Sequence, residues 1–250
     1  MNEQNPSFKK SEQQKFQAGY YNNSASDFDT KHNRENANHL YKIEQIAETF
    51  FRHLNPEQEC YDFMEVGSGT GIHAYHFLKD HSAKINSIML SDISENMLHQ
   101  AQKRLHEFTH KTSYAVMPAE KFATGKTFDG IFVSGSMHHF SSPEAALAEM
   151  KKHLNPGGVV VICEPVVWNP VNFFKALREI RSEYGQFKVQ RGNVRRYLQT
   201  LGYQILTERV LHYRAGSPAL RRLIPYKRLE DYSFFNAMAV MFLFGARLEP

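Results

Sequence analysis

Glycines at three alternate positions mark the segment of this chain best suited to bind a cofactor. The segment runs Glu65-Val66-Gly67-Ser68-Gly69-Thr70-Gly71. Glycine lets the backbone turn sharply and approach a ligand closely, because no Cβ stands in the way. The apolar run Tyr61–Met64 precedes the segment and the helix-like run Ile72–Lys79 follows it, which predicts a strand, a turn and the start of a helix. Unpaired N–H groups at that helix start attract anionic groups, so the segment predicts a nucleotide-type cofactor site.

The spacing of these glycines separates the segment from two other nucleotide-binding loops. The dinucleotide pattern G-x-G-x-x-G, counted from Gly67, requires a glycine where the chain has Ile72. The phosphate loop G-x-x-x-x-G-K-S/T is excluded too, because no Gly-Lys-Ser or Gly-Lys-Thr follows. A nicotinamide-linked enzyme is therefore a distant alternative. The remaining pattern is E-x-G-x-G-x-G, with Glu65 two residues before the first glycine.

This pattern resembles the first motif of the class I S-adenosylmethionine-dependent methyltransferases. The resemblance implies S-adenosylmethionine as the cofactor and S-adenosylhomocysteine as its product. It also implies that Glu65 faces the cationic end of the cofactor, often through water, and that the turn accommodates the amino-acid portion. The turn residues assigned to the cofactor on this basis are Gly67, Ser68, Gly69 and Gly71.

Three further strand ends match the same family, in the same order along the chain. One apolar run ends in Ser91-Asp92-Ile93-Ser94, and the resemblance implies that Asp92 accepts the ribose hydroxyls of the cofactor. The next run, Tyr114–Met117, leads into Pro118-Ala119-Glu120, where the family places the adenine ring. Phe128–Ser134 is the fourth predicted strand. These matches add Ile93, Met97, Ala119, Glu120 and Ser134 to the predicted cofactor site.

Two adjacent histidines follow the fourth strand, at the edge of the sheet where ligands bind in open α/β folds. Histidine titrates near neutral pH, and a general base helps when the methyl acceptor is a hydroxyl. His138 and His139 are therefore the candidate catalytic residues. The alternative, from the family resemblance, is that a histidine here fixes the loop or borders the cofactor. The sequence leaves both roles open.

Aromatic side chains on two segments are candidates to close the site. Tyr20 and Tyr21 precede a long helix predicted from about residue 33 to residue 53. Because the family commonly closes N-terminal aromatics over its cofactor, we assign Tyr20 to the cofactor and Tyr21 to the acceptor pocket. After the fifth strand, residues 167–200 leave the sheet above the ligand crevice. The pocket residues predicted there are Trp168, Asn169, Phe173 and Phe174.

The order of these elements predicts an α/β fold with a doubly wound, Rossmann-like sheet of seven mostly parallel strands. An antiparallel C-terminal strand at Ala237–Leu248, paired with Tyr203–Val210, completes the sheet, and a helical cap covers it. Residues 1–18 are polar and are predicted to form a disordered tail. Residues 19–250 are predicted to be a single methyltransferase domain. Its parts are an N-terminal lid and helix at 19–56 and cap insertions at 167–200 and 211–233.

Charge is distributed unevenly along the chain. Residues 171–250 hold 14 Lys and Arg against 6 Asp and Glu, a net charge of +8. Residues 1–170 hold 16 against 20, a net charge of −4. The basic part is compatible with a solvated surface, with binding of an anionic acceptor, or with peripheral contact to a membrane or lipid. Nucleic acid is not an expected partner, because the sequence has no recognisable RNA-binding module and no interleaved aromatic platforms.

The predicted function is methyl transfer by direct in-line displacement to a small apolar or anionic acceptor of the lipid, quinone, polyketide or phenolic type. After the fourth strand the chain has Ser134-Gly135-Ser136-Met137, unlike the Asp/Asn-Pro-Pro-Tyr/Phe of amino-directed nucleic-acid enzymes. The alternative is a non-catalytic module that binds S-adenosylmethionine and regulates or scaffolds a partner. The sequence does not indicate the oligomeric state.

Neither a metal nor a secreted location is expected. The fourth strand ends without the carboxylates of metal-dependent catechol-type enzymes, and no Cys/His cluster has the spacing of a zinc site. Met1–Gln17 is polar and has no apolar signal core, which favours a cytoplasmic location.

Overall fold

A computed structural model describes residues 6–32, 37–178, 184–211 and 241–248 of the chain. Its strands are β1 Tyr61–Val66, β2 Ile85–Asp92, β3 Thr112–Val116, β4 Phe128–Ser134, β5 Leu154–Pro165, β6 Tyr203–Leu211 and β7 Met241–Leu248. They form one sheet with the order β3-β2-β1-β4-β5-β7-β6. The strands β1 to β5 are parallel, and β7 lies antiparallel between β5 and β6. The predicted seven-stranded, mostly parallel fold is confirmed.

Helices connect the strands, and two of them begin at a serine that caps the helix. The helices are α1 Pro6–Ser24, α2 Phe28–His32, α3 Ala37–His53, α4 Ile72–His81, α5 Glu95–Arg104, α6 Pro143–Lys152, α7 Pro170–Arg178 and α8 Arg191–Thr200. The Ser94 hydroxyl accepts from the Met97 N–H at 3.2 Å and begins α5, as its sequence position suggests. Within the described ranges, no helix combines the length and apolar character needed to cross a bilayer.

The N-terminal segment differs from its prediction. Helix α1 covers most of residues 1–18, so the prediction of disorder is wrong for residues 6–18, while residues 1–5 lie outside the described part. The helix is stabilised by docking, because the Gln14 side chain donates to Glu120 at 3.1 Å and Asn22 bonds to the start of α5. Three predicted features also fall outside the described residues: helix residues 33–36, insertion residues 212–233 and strand residues 237–240.

Phenylalanine rings fill the layer between the sheet and the helices α3 and α4. The Phe63 ring meets Phe50 and Phe77 edge-on, with centroids 5.0 Å and 4.9 Å apart. Phe132 on β4 closes the group at 5.8 Å from Phe77. All four side chains are at most 1% exposed. Edge-to-face contacts of this kind add to the stabilisation from burial, so the cluster fixes β1 and β4 against the helices.

Gly130 on β4 is the position where this cluster leaves no space for a side chain. A Cβ at Gly130 would lie 2.5 Å from two carbon atoms of the Phe63 ring and 2.8 Å from the Phe50 ring. We expect Gly130→Ala to lower the free energy of unfolding by about 1–3 kcal/mol, because packed core rings must move. The measurement is the urea midpoint of unfolding.

Gly192 in α8 provides the matched control for this substitution. A Cβ there would meet no atom within 4 Å. Since alanine favours a helix over glycine by roughly 0.5–1 kcal/mol, Gly192→Ala should leave stability equal or higher. Equal midpoints for the two variants would contradict the packing described for Gly130.

Candidate active site

The carboxyl ends of the parallel strands meet at one edge of the sheet, where a cavity of about 290 Å³ opens. This edge is where open α/β sheets bind their ligands. The predicted site residues that line the cavity are Tyr20, Tyr21, Gly67, Gly69, Asp92, Ile93, Met97, Ala119, Glu120, Ser134, His138 and His139. The predicted site residues outside its lining are Glu65, Ser68, Gly71, Trp168, Asn169, Phe173 and Phe174.

The glycines of the turn after β1 serve two different purposes. Gly67, Gly69 and Gly71 have φ angles of 68°, 54° and 72°, a region that side chains disfavour. A Cβ on Gly67 would lie 2.5 Å from the Ser136 Oγ, so glycine here lets the turn close against the loop after β4. A Cβ on Gly71 would lie 2.8 Å from the Ala101 Cβ in α5. Gly71 therefore permits helix packing, while Gly67 shapes the cavity.

Asp92 connects the end of β2 to this turn. Its Oδ2 accepts a hydrogen bond from the Gly69 N–H at 2.8 Å, and its Oδ1 accepts one from the Ser94 N–H at 2.9 Å. The side chain is 9% exposed and borders the cavity. Because a carboxylate oxygen can accept more than one hydrogen bond, the arrangement still suits the recognition of ligand hydroxyls.

Glu65 lies behind the turn. It is 1% exposed, and its Oε1 lies 3.0 Å from the Nδ1 of His73, which is itself buried. Ser68 is also buried, and its Oγ has no hydrogen-bond partner among the residues that the structure describes. The predicted contact of Glu65 with a cofactor stays a prediction, and from this position it would run through an intervening group such as water.

Glu120 joins three parts of the cavity wall. Its Oε1 accepts from the Ser141 hydroxyl at 2.7 Å and from the Ser142 N–H at 3.0 Å. Its Oε2 accepts from the Gln14 side chain of α1 at 3.1 Å. Glu120 therefore connects the end of β3 to the loop before α6 and to the N-terminal helix. Ala119 lies beside it and lines the cavity, as do Ile93 and Met97 after β2.

The N-terminal helices α1 and α2 cover the cavity and are attached by polar contacts. The Ser94 hydroxyl donates to the Asn22 Oδ1 at 2.7 Å. Asp29 accepts from the Thr70 hydroxyl at 2.7 Å and from Arg104 at 2.5 Å. These contacts join the cover to the glycine turn and to α5. Asn22 and Asp29 could not be identified from the sequence, because their partners are 41 to 75 positions further along the chain.

The predicted tyrosines lie on the inner side of this cover. The Tyr21 ring meets the rings of Phe28 and His139 edge-on, with centroids 5.7 Å and 5.3 Å apart. Tyr20 packs edge-on against Tyr21 at 5.2 Å and is 38% exposed. Both tyrosines border the cavity, as expected for residues that close over a ligand.

His138 is held by a buried carboxylate. Its Nδ1 lies 2.6 Å from the Glu164 Oε2, and the two side chains are 5% and 0% exposed. The other carboxylate oxygen of Glu164 accepts from the N–H groups of Ser136 and Met137, at 2.9 Å and 2.8 Å. This arrangement favours the tautomer with hydrogen on Nδ1 and the lone pair on Nε2. A histidine in that state, on a cavity wall, is equipped to remove a proton.

The two neighbouring histidines thus have different environments. The ring of His139 lies 3.9 Å from the ring of His138 and contacts Tyr21 of the cover. The buried carboxylate of Glu164 bonds to His138. Glu164 is not among the site residues predicted from the sequence, although an acid at the end of the apolar run Val159–Cys163 is a signal that the sequence contains.

Of the residues predicted for the acceptor pocket, Tyr21 borders the cavity, whereas Trp168, Asn169, Phe173 and Phe174 lie outside its lining. Trp168 and Phe174 are 63% and 67% exposed, and the rings of Phe173, Trp168 and Phe187 pack against one another. Asn169 is buried outside the cavity lining. The residues that border the cavity near the end of β5 are Lys42, Pro165, Asn172, Gln186 and Met241. Trp168 before α7 and Phe174 on α7 are exposed, and Phe173 packs against neighbouring rings, so none of these aromatic side chains lines the cavity.

Part of the predicted basic surface is neutralised by an ion pair. Arg191 and Arg195 on α8 both bond to Glu208 on β6, with an Arg195 Nε–Oε2 distance of 3.0 Å. Burial raises the pKa of Glu208, but the hydrogen bonds from the two arginines outweigh it and hold that pKa below its usual value. These two arginines therefore bond within the fold.

Comparison with known families and sequences points to one type of enzyme. A family model described as "Methyltransferase domain" matches residues 63–158. The "Ubiquinone/menaquinone biosynthesis C-methyltransferase UbiE" of Cupriavidus metallidurans is 29% identical over 228 residues, covering 89% of this chain and 87% of that protein. The polyketide synthase component compactin nonaketide synthase of Penicillium citrinum is 31% identical over 105 residues, covering 40% of this chain and 4% of that protein.

Solved structures share the fold described above. The N-methyltransferase NodS from Bradyrhizobium japonicum WM9, in complex with S-adenosylhomocysteine, has a TM-score of 0.66 at 14% identity and covers 93% of this chain and 98% of its own. The magnesium protoporphyrin IX methyltransferase of Synechocystis PCC 6803 has a TM-score of 0.64 at 12% identity and covers 95% of this chain and 100% of its own. At such identities the likeness concerns the fold alone.

Proposed function

Since this chain is a class I S-adenosylmethionine-dependent methyltransferase, we propose that it methylates a carbon atom of a small phenolic or quinone-type acceptor. The observation that carries this proposal is the buried pair of His138, which borders the cavity, and Glu164, which bonds to it from behind the wall. A new carbon–carbon bond at a C–H position requires that the proton be removed, and this pair can remove it.

The residues around the cavity fit the cofactor. The Gly67 turn leaves backbone exposed where a Cβ would collide with Ser136. The buried hydroxyl of Ser134 borders the cavity and has no hydrogen-bond partner among the described residues. Asp92 presents a carboxylate at the end of β2. We therefore assign the ribose to Asp92 and the amino-acid portion to the turn, and the bound cofactor supplies a methyl group on a sulfonium.

The protein's own part in the reaction is to position the acceptor and to move a proton. His138 takes the proton from the methylated carbon on Nε2, while its Nδ1–H donates to Glu164. Glu164 stabilises the imidazolium that forms, and the Ser136 and Met137 N–H groups hold the carboxylate in place. Burial strengthens these interactions because water competes with them less. The cover formed by α1 and α2 limits the access of solvent to the reacting atoms.

The choice of acceptor is supported by the relatives. The protein from Cupriavidus metallidurans is named as a ubiquinone and menaquinone biosynthesis C-methyltransferase, and its match extends over most of both chains. An electron-rich ring carbon next to an oxygen is the chemistry common to phenolic and quinone-type acceptors in their reduced state. The cytoplasmic location inferred from the sequence remains a prediction. The lipid contact also remains a prediction, because most of the basic insertion lies outside the described residues.

The test is an assay of the purified protein with S-adenosylmethionine that carries a ¹³C-labelled methyl group. Hydroquinones, phenols and β-dicarbonyl compounds are offered separately, and the methyl carbon of the product is observed by NMR. We expect its chemical shift to be that of a methyl group on carbon. A methyl group on oxygen or nitrogen with every accepted substrate would contradict the proposal while leaving the enzyme class intact.

A further inference from the structure

Gln17 on α1 is a buried amide at the wall of the cavity. Its side chain is 6% exposed and borders the cavity. Its Oε1 atom is buried and accepts no hydrogen bond from the residues that the structure describes. A buried amide oxygen without a donor lowers stability, because the hydrogen bond that it made to water in the unfolded chain is not replaced. A ligand in the cavity that carries an N–H group can supply the missing donor.

The contacts of the neighbouring helical turns show where Gln17 lies along the cavity. One turn earlier, the Gln14 side chain donates to Glu120 after β3 at 3.1 Å. One turn later, the Tyr21 ring meets His139 after β4, with centroids 5.3 Å apart. Residues three and four positions apart lie on the same face of a helix. Gln17 therefore lies on the cavity face of α1, between the end of β3 and the loop after β4.

The order of the strands places the base of a bound nucleoside at the same end of the cavity. Asp92 accepts from the Gly69 N–H on one side, and its carbonyl oxygen accepts from the Met117 N–H after β3 at 3.0 Å on the other. With the ribose at Asp92 and the amino-acid portion on the glycine turn, the base extends towards β3. The apolar side chains that border the cavity there are Ile93, Met97, Met117, Pro118 and Ala119.

These apolar side chains suit the flat faces of a base but cannot bind its polar edge. Glu120 follows them, and its two carboxylate oxygens already accept hydrogen bonds from Ser141, Ser142 and Gln14. Gln17 offers an amide oxygen that has no donor among the described residues, and an NH₂ group on the same carbon. An amide therefore stands ready where the edge of the base is expected.

We propose that Gln17 binds the polar edge of the adenine ring of the cofactor. Its oxygen accepts from the 6-amino group, and its NH₂ group donates to the adjacent ring nitrogen, a pair of hydrogen bonds that glutamine forms with adenine. A base with oxygen at that position has no such donor, so Gln17 selects adenine. The inference rests on the proposed function for the position of the ribose at Asp92, and it does not depend on which acceptor atom is methylated.

The experiment compares two nucleosides that differ only at the proposed contact. Adenosine carries the 6-amino group, and purine riboside has hydrogen in its place. Both are titrated by calorimetry against the wild-type protein, Gln17→Met and Gln13→Met. Gln13→Met is the matched control, because Gln13 is on the same helix and lies outside the cavity lining.

We expect the wild-type protein and Gln13→Met to bind adenosine about fivefold to fiftyfold more tightly than purine riboside. Gln17→Met should lose most of this preference, with adenosine falling to about the affinity of purine riboside. Gln17→Glu should keep part of the preference, because a carboxylate accepts from the amino group but has no hydrogen to donate to the ring nitrogen.

Three results would overturn the inference. The first is a wild-type protein that binds both nucleosides equally, a result that requires no variant to fold. The second is a Gln17→Met protein that keeps the full preference for adenosine. The third is an equal loss of affinity for both nucleosides in that variant, which would mean that Gln17 only holds α1 in place. The ¹³C-methyl assay on the wild-type protein tests the proposed function separately, so methyl transfer to carbon can persist while the role of Gln17 is rejected.

Discussion

His138→Gln and Glu164→Gln are each expected to lower the rate of methyl transfer by about 10²–10⁴-fold, with little change in cofactor affinity. The first variant removes the proton acceptor. The second variant acts through the histidine. Its amide oxygen accepts from the Ser136 and Met137 N–H groups, so its NH₂ group faces the Nδ1 of His138. That hydrogen bond favours the opposite tautomer, which carries its hydrogen on Nε2, and the ring then cannot accept a proton there.

The double variant and the neighbouring histidine make this prediction specific. If His138 and Glu164 act as one unit, the double variant should be about as slow as either single variant, because residues that act together are not additive. His139→Gln is the matched control, since His139 contacts Tyr21 in the cover. The measurement is single-turnover methyl transfer at saturating cofactor, which separates chemistry from binding. Equal losses for His138→Gln and His139→Gln would reject the assignment of the base.

The parts of the site that could be predicted from the sequence are short motifs of consecutive residues. The turn Gly67 to Gly71 and the acid at the end of β2 each depend on local geometry, in which glycine must occupy the positive φ angles. Glu164 and His138 are 26 positions apart and meet because β4 and β5 are adjacent. That pairing depends on the strand register, which a single sequence does not specify.

Two errors of prediction share one physical cause, the dependence of an element on its neighbours. Helix α1 is polar enough to suggest disorder, yet its side chains bond to Glu120 and to the start of α5. The segment around α7 contains the aromatic residues Trp168 and Phe174, which suggested a pocket, yet both are largely exposed. Composition does not show how a helix is rotated about its own axis, so it could not tell a pocket wall from a surface. For the same reason, the sequence could not show that Lys42 borders the cavity, since it is one of four charged residues within eleven positions on α3.

Asp92→Asn is expected to weaken S-adenosylhomocysteine binding by about 1–3 kcal/mol, or roughly five- to 150-fold in affinity. The ribose hydroxyls would lose a charged acceptor. The change also reaches the protein itself, because Asp92 accepts from both the Gly69 and the Ser94 N–H groups and an amide has only one accepting oxygen. Calorimetric titration measures the loss, with NAD as the control ligand.

The two contributions of Asp92 can be separated by changing the ligand as well as the protein. Adenosine and 2′,3′-dideoxyadenosine are titrated against the wild-type protein and Asp92→Asn. If Asp92 binds the hydroxyls, their removal should weaken binding to the wild-type protein and have a much smaller effect on the variant, giving a coupling energy of about 1 kcal/mol or more. A coupling energy near zero, with weaker binding of both ligands to the variant, would mean that Asp92 acts only by holding the Gly69 turn in place. In that case the assignment of the ribose to the end of β2 would be wrong, although the turn would remain part of the site.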